Sequence, residues 1–180
     1  MAALSALGPS AARSQPARTA GSSAYLSAAD IQRVITAPAG GIDRQLRVVG
    51  MDNHNVGVGI LRRGALRGGG PVAALNHERI SEVYYVISGS GTLLTGGSVK
   101  DIKPVDANSD TVKVLVGPSN SATFVQAAER RTLAAGDVVI IPPGVYHGFS
   151  EIPDHIEYLS MRADVDRVLP TGYVHPVLGK

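Results

Sequence analysis

In the stretch NHERISEVYYVISGSG, residues 76 to 91, one histidine and two acids precede a β-branched, aromatic run that stops at Gly-Ser-Gly. A strand sends successive side chains to opposite faces, so Glu82, Tyr84, Val86 and Ser88 share one face, while Val83, Tyr85 and Ile87 share the other. A carboxylate on the inward face of an apolar strand costs several kcal/mol unless a cation meets it. A metal ion would meet Glu82, and so would an arginine from across a barrel. A second stretch, GDVVIIPPGVYHGF, ends a buried run in Pro142-Pro143-Gly144 and then sets His147 and Phe149 on a common face. His77, Glu82 and His147 therefore come from segments that can pair in space. Taken alone, a histidine such as His77 is a surface residue, a satisfied core residue or a metal ligand.

The elements that must position these groups are mostly strands. Asn55 to Arg63 alternates Val56, Val58 and Ile60 against Asn55, Gly57 and Gly59, and SEVYYVIS, KVLV, DVVIIP and IEYLSMR are rich in strand formers. Gly- and Pro-containing turns separate them, among them RGGGP, VGPSN, AAGD and PPG. One helix is expected at about 28 to 36, with Ser27 as cap, Asp30 closing a capping box and Leu26 stapling to Ile31; Pro38 and Gly40-Gly41 stop it. Many short strands with a lone helix favour a sandwich or barrel over βαβ units.

The two stretches resemble the two motifs of the cupin superfamily. The first runs Gly, five residues, His, one, His, three or four, Glu, six, Gly, and is matched by Gly69, Leu75, His77, Glu82 and Gly89. Leu75 stands where the family has its first histidine. The second is matched by Gly136, Pro142, Gly144 and His147, with Glu151 in place of the usual Asn. The resemblance implies an all-β, cupin-type double-stranded β-helix, a jelly-roll barrel, carrying one short N-terminal helix. It also implies a divalent transition metal (Fe, Mn, Ni, Cu or Zn) held by His77, Glu82 and His147. Two histidines and one carboxylate are the set that in non-haem Fe(II) oxygenases leaves positions open for substrate and oxygen. Some cupin lyases that cleave dimethylsulfoniopropionate are similar at Tyr84, with a tyrosine two residues after the glutamate in proton abstraction, which makes Tyr84 the catalytic candidate. The expected function is thus metal-dependent chemistry on a small molecule, with a lean to an oxygenase and with lyase or isomerase open. The alternative is a non-catalytic barrel that binds a small ligand at a weak or vacant metal site.

Composition sets the remaining limits. The chain of 180 residues lacks cysteine, which excludes disulfides, thiolate metal sites and a Cys nucleophile. Its formal net charge of +2 is scattered apart from Arg62-Arg63 and Arg130-Arg131, so nucleic acid is not an expected partner. Neither is a membrane, since the longest aliphatic run, VVII at 138 to 141, falls far short of a spanning helix. Arg62, Arg63 and Arg67 beside the glycine run read best as a solvated loop, with an anionic substrate at the barrel mouth as the sharper alternative. His54 reads as a rim or surface residue, and His155 and His175 have no partner pattern. The expected organisation is a flexible lead-in at 1–23, helix and linker at 24–41, a barrel at 42–170 with an insertion at about 90–135, and a tail at 171–180. The lead-in lacks the charged start and continuous apolar stretch of a normal export signal, which leaves a cytoplasmic or an exported protein open. A homodimer is expected, because the helix stripe of Ile31, Val34 and Ile35 needs a cover, on a partner's barrel or alternatively on its own, and bare sheet edges invite pairing.

Overall fold

The computed structural model describes residues 23–38 and 40–179. All of the expected lead-in except Ser23 lies outside the described residues. Helix α1 (Ala28–Ile35) forms where its signals place it: the Ser27 hydroxyl accepts from the Asp30 amide at 3.0 Å, and the Asp30 carboxylate accepts from the Ser27 amide at 3.1 Å. These two bonds satisfy donors that a helix start otherwise leaves open.

Ten strands follow among the described residues: β1 (Asp43–Gly50), β2 (Asn55–Arg63), β3 (Ala73–His77), β4 (Ile80–Thr95), β5 (Ser98–Pro104), β6 (Ser119–Gln126), β7 (Glu129–Ala134), β8 (Val138–Ile141), β9 (His147–Glu151) and β10 (Ile156–Asp164). All pairings are antiparallel. Strand β4 is long enough to serve two sheets. Its first half, through Gly89, pairs β10 and β8, while its second half, from Ser90 to Thr95, pairs β7 and β9. The first sheet thus runs β1-β2-β10-β4-β8 and the second continues from β4 through β9-β3-β6-β5, with β7 on the other side of β4. This is the double-stranded β-helix of a cupin-type jelly roll, and the main core, including Leu61, Val86, Leu93, Phe149 and Ile156, lies between the sheets. No helix among the described residues is long and apolar enough to cross a membrane.

The apolar face of β2 does not point into the barrel. Gly57, Gly59 and Leu61 face inward, and Val58 and Ile60 pack outward with Leu46 against Val34 and Ile35 of α1. The helix stripe is therefore covered by the chain's own barrel. The glycines are needed for room: a Cβ on Gly59 would sit 2.8 Å from Arg162 Nη1, and one on Gly57 would sit 2.7 Å from Gln45 Nε2. A side chain at either position would displace a buried polar group.

One expected strand is not a strand. KVLV lies in a six-residue π-helical turn, Thr111–Val116, between β5 and β6. The β-branched preference of Val112, Val114 and Val116 is overridden, and the segment packs beside β1 without pairing to it. Ser109 instead starts a turn, accepting at its carbonyl from the amides of Val112 and Lys113, and Leu115 and Val116 are turned over the barrel's inner chamber. The insertion accordingly brings β5 and β6 together as an antiparallel pair and sends the segment between them to the chamber wall.

Candidate metal centre

The first sheet supplies Glu82 and Tyr84 from β4, and the second supplies His77 from the end of β3 and His147 from the start of β9. Strand alternation turns Glu82, Tyr84 and Val86 inward and leaves Tyr85 and Ile87 exposed, as their spacing requires. The ligand-type atoms of His77, Glu82 and His147 lie within 4.8 Å of one another, and all three residues are buried. Glu82 Oε2 is 3.2 Å from His77 Nε2 and 3.4 Å from His147 Nε2.

Hydrogen bonds behind the rings fix which nitrogen faces inward. The Ser119 hydroxyl donates to the Gly117 carbonyl at 2.8 Å, so its oxygen accepts from His77 Nδ1 at 2.9 Å. Likewise the Val145 carbonyl, which only accepts, lies 3.0 Å from His147 Nδ1. With Nδ1 protonated in both rings, a neutral imidazole presents the bare Nε2 lone pair. Two such lone pairs and a carboxylate oxygen converge, and only a proton on a ring or a cation between them reconciles the three acceptors. For His77, burial pushes the imidazole below its ordinary pKa against the pull of Glu82, and the His147 and Arg162 charges add to that, so a proton there is disfavoured. The distances from Glu82 to the two rings suit a cation: donor atoms about 2.1 Å from a transition metal stand about 3.0 to 3.4 Å apart between right-angle and tetrahedral arrangements.

Glu82 is also held from the other side. Its Oε1 accepts from Ser160 Oγ at 2.6 Å and from Arg162 Nε at 3.4 Å, and Tyr84 Oη donates to Oε2 at 2.9 Å. Arg162 is fully buried, and it also donates to Asp43 Oδ2 at 2.5 Å and to Gln45 Oε1. Burial would raise the Glu82 carboxyl, but the facing His147 and His77 rings and the Arg162 charge hold it well below the usual carboxylate range. The Tyr84 phenol goes the other way: burial and the adjacent Glu82 charge keep it protonated well above pH 10.

These groups line a chamber of about 140 Å³ with Leu61, Leu75, Phe149 and Tyr158, closed in part by Thr111, Leu115 and Val116. Leu75, registered across the strands from His147, lines it as well, so the position of the missing histidine does face the site. His54 hydrogen-bonds Asn53, and His155 contacts Asp154 and Ser88; neither they nor His175 join the cluster. Spacing gave no sign of Ser119, Ser160, Asp43, Gln45 or Arg162. The alternation of Tyr158, Ser160 and Arg162 in β10 was the available signal, hidden because the apolar Leu159 and Met161 between them suggest the opposite face as the inner one.

The fold and the buried His-Glu-His cluster together define a cupin-type β-helix with a candidate metal centre. No family model matches the chain, and no curated protein matches it. Among solved structures it is similar to BH2720 from Bacillus halodurans, with 14% identity, a TM-score of 0.45 and coverage of 84% of this chain and 87% of that one. A Klebsiella pneumoniae protein with a double-stranded β-helix domain is 20% identical over 76% of this chain and 83% of that one, with a TM-score of 0.42. The DMSP lyase DddQ from Ruegeria pomeroyi is 12% identical over 82% of this chain and 60% of that one, with a TM-score of 0.41.

Proposed function

We propose that the protein is a metal-dependent enzyme acting on a small molecule in the barrel chamber, with His77, Glu82 and His147 as the metal ligands. The observation that carries this reading is the convergence of two Nε2 lone pairs and one carboxylate oxygen, with both Nδ1 atoms committed to Ser119 and Val145. Bonds of that kind set the tautomer and orientation of ligand histidines. A divalent ion held there would supply Lewis-acid activation or bring substrate and oxygen together. Leu75 leaves one side of the cluster apolar, which suits an oxygenase, while lyase or isomerase chemistry uses the same opening. Tyr84, protonated and hydrogen-bonded to Glu82, acts as a proton donor or as the group that holds the carboxylate in place.

Elemental analysis of protein made in metal-supplemented medium should find about one transition-metal ion per chain, lost in His77→Ala and His147→Ala. Protein that carries none, and takes up none on titration, would refute the reading.

A second reading has one observation in its favour. Arg162 already compensates the Glu82 charge, and a barrel balanced in this way serves as a ligand pocket without an ion. The homodimer is likewise kept as a proposal, but on a different surface. With the helix stripe covered, an apolar face among the described residues that could meet a second copy is that of β8 and β4, where Ile140 is 70% and Val138 59% exposed. Light scattering near the 18.6 kDa chain mass would exclude a dimer.

A further inference from the structure

We infer that Arg63 is the specificity residue of this chamber and that the ligand it admits carries a carboxylate. The inference deepens the proposed function, since it names the ligand class of the same chamber, but it does not depend on the metal.

Arg63 is the last residue of β2, and alternation from Gly59 and Leu61 turns it inward. It is not the solvated loop residue its sequence neighbours suggest. Its Nε donates to Tyr158 Oη at 3.1 Å, and its guanidinium carbon lies 5.6 Å from the centre of the Phe149 ring. A phenol oxygen on one edge and an aromatic face on the other hold the planar group in a fixed attitude. Tyr158 is itself fully buried against Tyr84, so the support is rigid.

The held guanidinium still has donors to give. Among the described residues, no acidic side chain lies within ion-pair distance of Arg63, and its two terminal nitrogens have no hydrogen-bond partner. Its neighbour Arg62, by contrast, is taken by Glu157 at 2.8 Å. Arg63 lines the chamber that holds His77, Glu82 and His147, and it also lines an outer cavity of about 430 Å³ together with Arg67. Leu75, His147 and Phe149 are shared by the two cavities, so Arg63 stands on the wall between the vestibule and the chamber. A half-buried guanidinium with a free terminal edge favours the bidentate pairing that a carboxylate offers.

Asp43 supplies the rival explanation. It lines the same chamber, one of its oxygens is taken by Arg162, and the other, Oδ1, is buried with no hydrogen-bond partner. If Arg63 served only to balance that charge, the chamber would have no preference for an anion. The same orphan oxygen, under our inference, is an acceptor for a hydroxyl or amide elsewhere on the ligand. The chamber's size limits that ligand. An apolar cavity of about 150 Å³ takes benzene, so a body of about six heavy atoms is the fitting probe.

The test compares isobutyrate with isobutyramide, which have the same shape and differ in charge. Binding is followed by NMR titration of the metal-free full-length protein, so that a metal cannot supply the preference. The acid should bind at least about tenfold more tightly than the amide, and Arg63→Gln should remove the difference. Arg63→Lys should retain part of it, because the charge stays and the fork is lost. Equal affinities for acid and amide in the wild-type protein would overturn the inference with no variant needed. A preference that survives in folded Arg63→Gln would overturn it too. Failure of the metal reading shows separately, as absence of metal in the elemental analysis with the acid preference intact.

Discussion

Replacing Arg162 by methionine tests how the buried charges are balanced. Methionine follows the arginine stem only as far as Nε, so the variant removes the cation together with its hydrogen bonds to Gln45 and Asp43. Arg162 Nε lies 3.4 Å from Glu82 Oε1, a separation at which two unit charges attract by about 5 kcal/mol at an effective dielectric of about 20. Arg162 Nη2 also lies 2.5 Å from Asp43 Oδ2. The variant would leave Glu82 and Asp43 in the interior without their shared partner, and breaking a buried pair from one side costs about 3 to 5 kcal/mol. Against a typical total of about 5 to 15 kcal/mol, the metal-free variant should unfold at markedly lower denaturant. Under the proposed function a bound ion restores positive charge beside Glu82. Saturating Zn²⁺ or Co²⁺ should therefore stabilise Arg162→Met by more than it stabilises the wild-type protein, and at a hundredfold excess over Kd binding alone contributes about 2.7 kcal/mol. Urea unfolding with and without metal measures both. A loss below about 1 kcal/mol in the metal-free variant would refute the charge balance described here, and equal metal stabilisation of both proteins would refute the coupling between Arg162 and the ion.

Three further outcomes follow from the same geometry. Leu75→His adds an imidazole to the chamber wall opposite His147, so metal affinity measured by competition with a chelator should rise at least about tenfold; an unchanged value would show that residue 75 does not reach the ion. Gly59→Ala places a Cβ at 2.8 to 2.9 Å from the Arg162 guanidinium, and should cost about 1 to 3 kcal/mol as overpacking, whereas Gly41→Ala, with nothing within 4 Å of its added Cβ, should leave urea unfolding nearly unchanged. At the helix start, hydrogen bonds from Arg33 and Ser27 hold the Asp30 carboxyl down at about 2 from 3.8; a depressed pKa stabilises the fold above the unfolded value, so this contribution is lost as pH falls from about 4 to about 2, and acid titration of Asp30→Asn should lack that part of the slope.

The parts of the fold written in local pattern were legible. The capping box at Ser27 and Asp30, the strand from Asn55 to Arg63 and the inward face of Glu82, Tyr84 and Val86 all follow from short-range rules. His77, Glu82 and His147 were found because motif spacing stands in for a spatial relation that alternation within one strand cannot give. Pattern misled where the polar side of a strand is the inner one. In β2 and β10 the aliphatic residues Val58, Ile60 and Leu159 serve the contact with α1, and the interior receives Gly59, Ser160 and Arg162. No local rule distinguishes a barrel filled by a charge network from one filled by hydrocarbon. The stretch KVLV misled for a related reason, since Leu115 and Val116 cover a chamber and the segment takes no place in a sheet.

The order of the first sheet has a consequence for how the chain must be made. Strand β10 is the last in sequence, yet it lies between β2 and β4 and forms the bond between them. During synthesis β2 and β4 therefore wait with open edges until Asp164 has left the ribosome, and at about 5 to 20 residues per second the interval from Thr95 lasts about 3 to 14 seconds. Exposed edges are pairing sites for other chains, so the nascent barrel is open to mispairing during that interval. Its site cannot exist before that moment either, because Ser160 and Arg162 arrive with the same strand. Under the proposed function, metal loading is then a late event, confined to chains that have completed their fold.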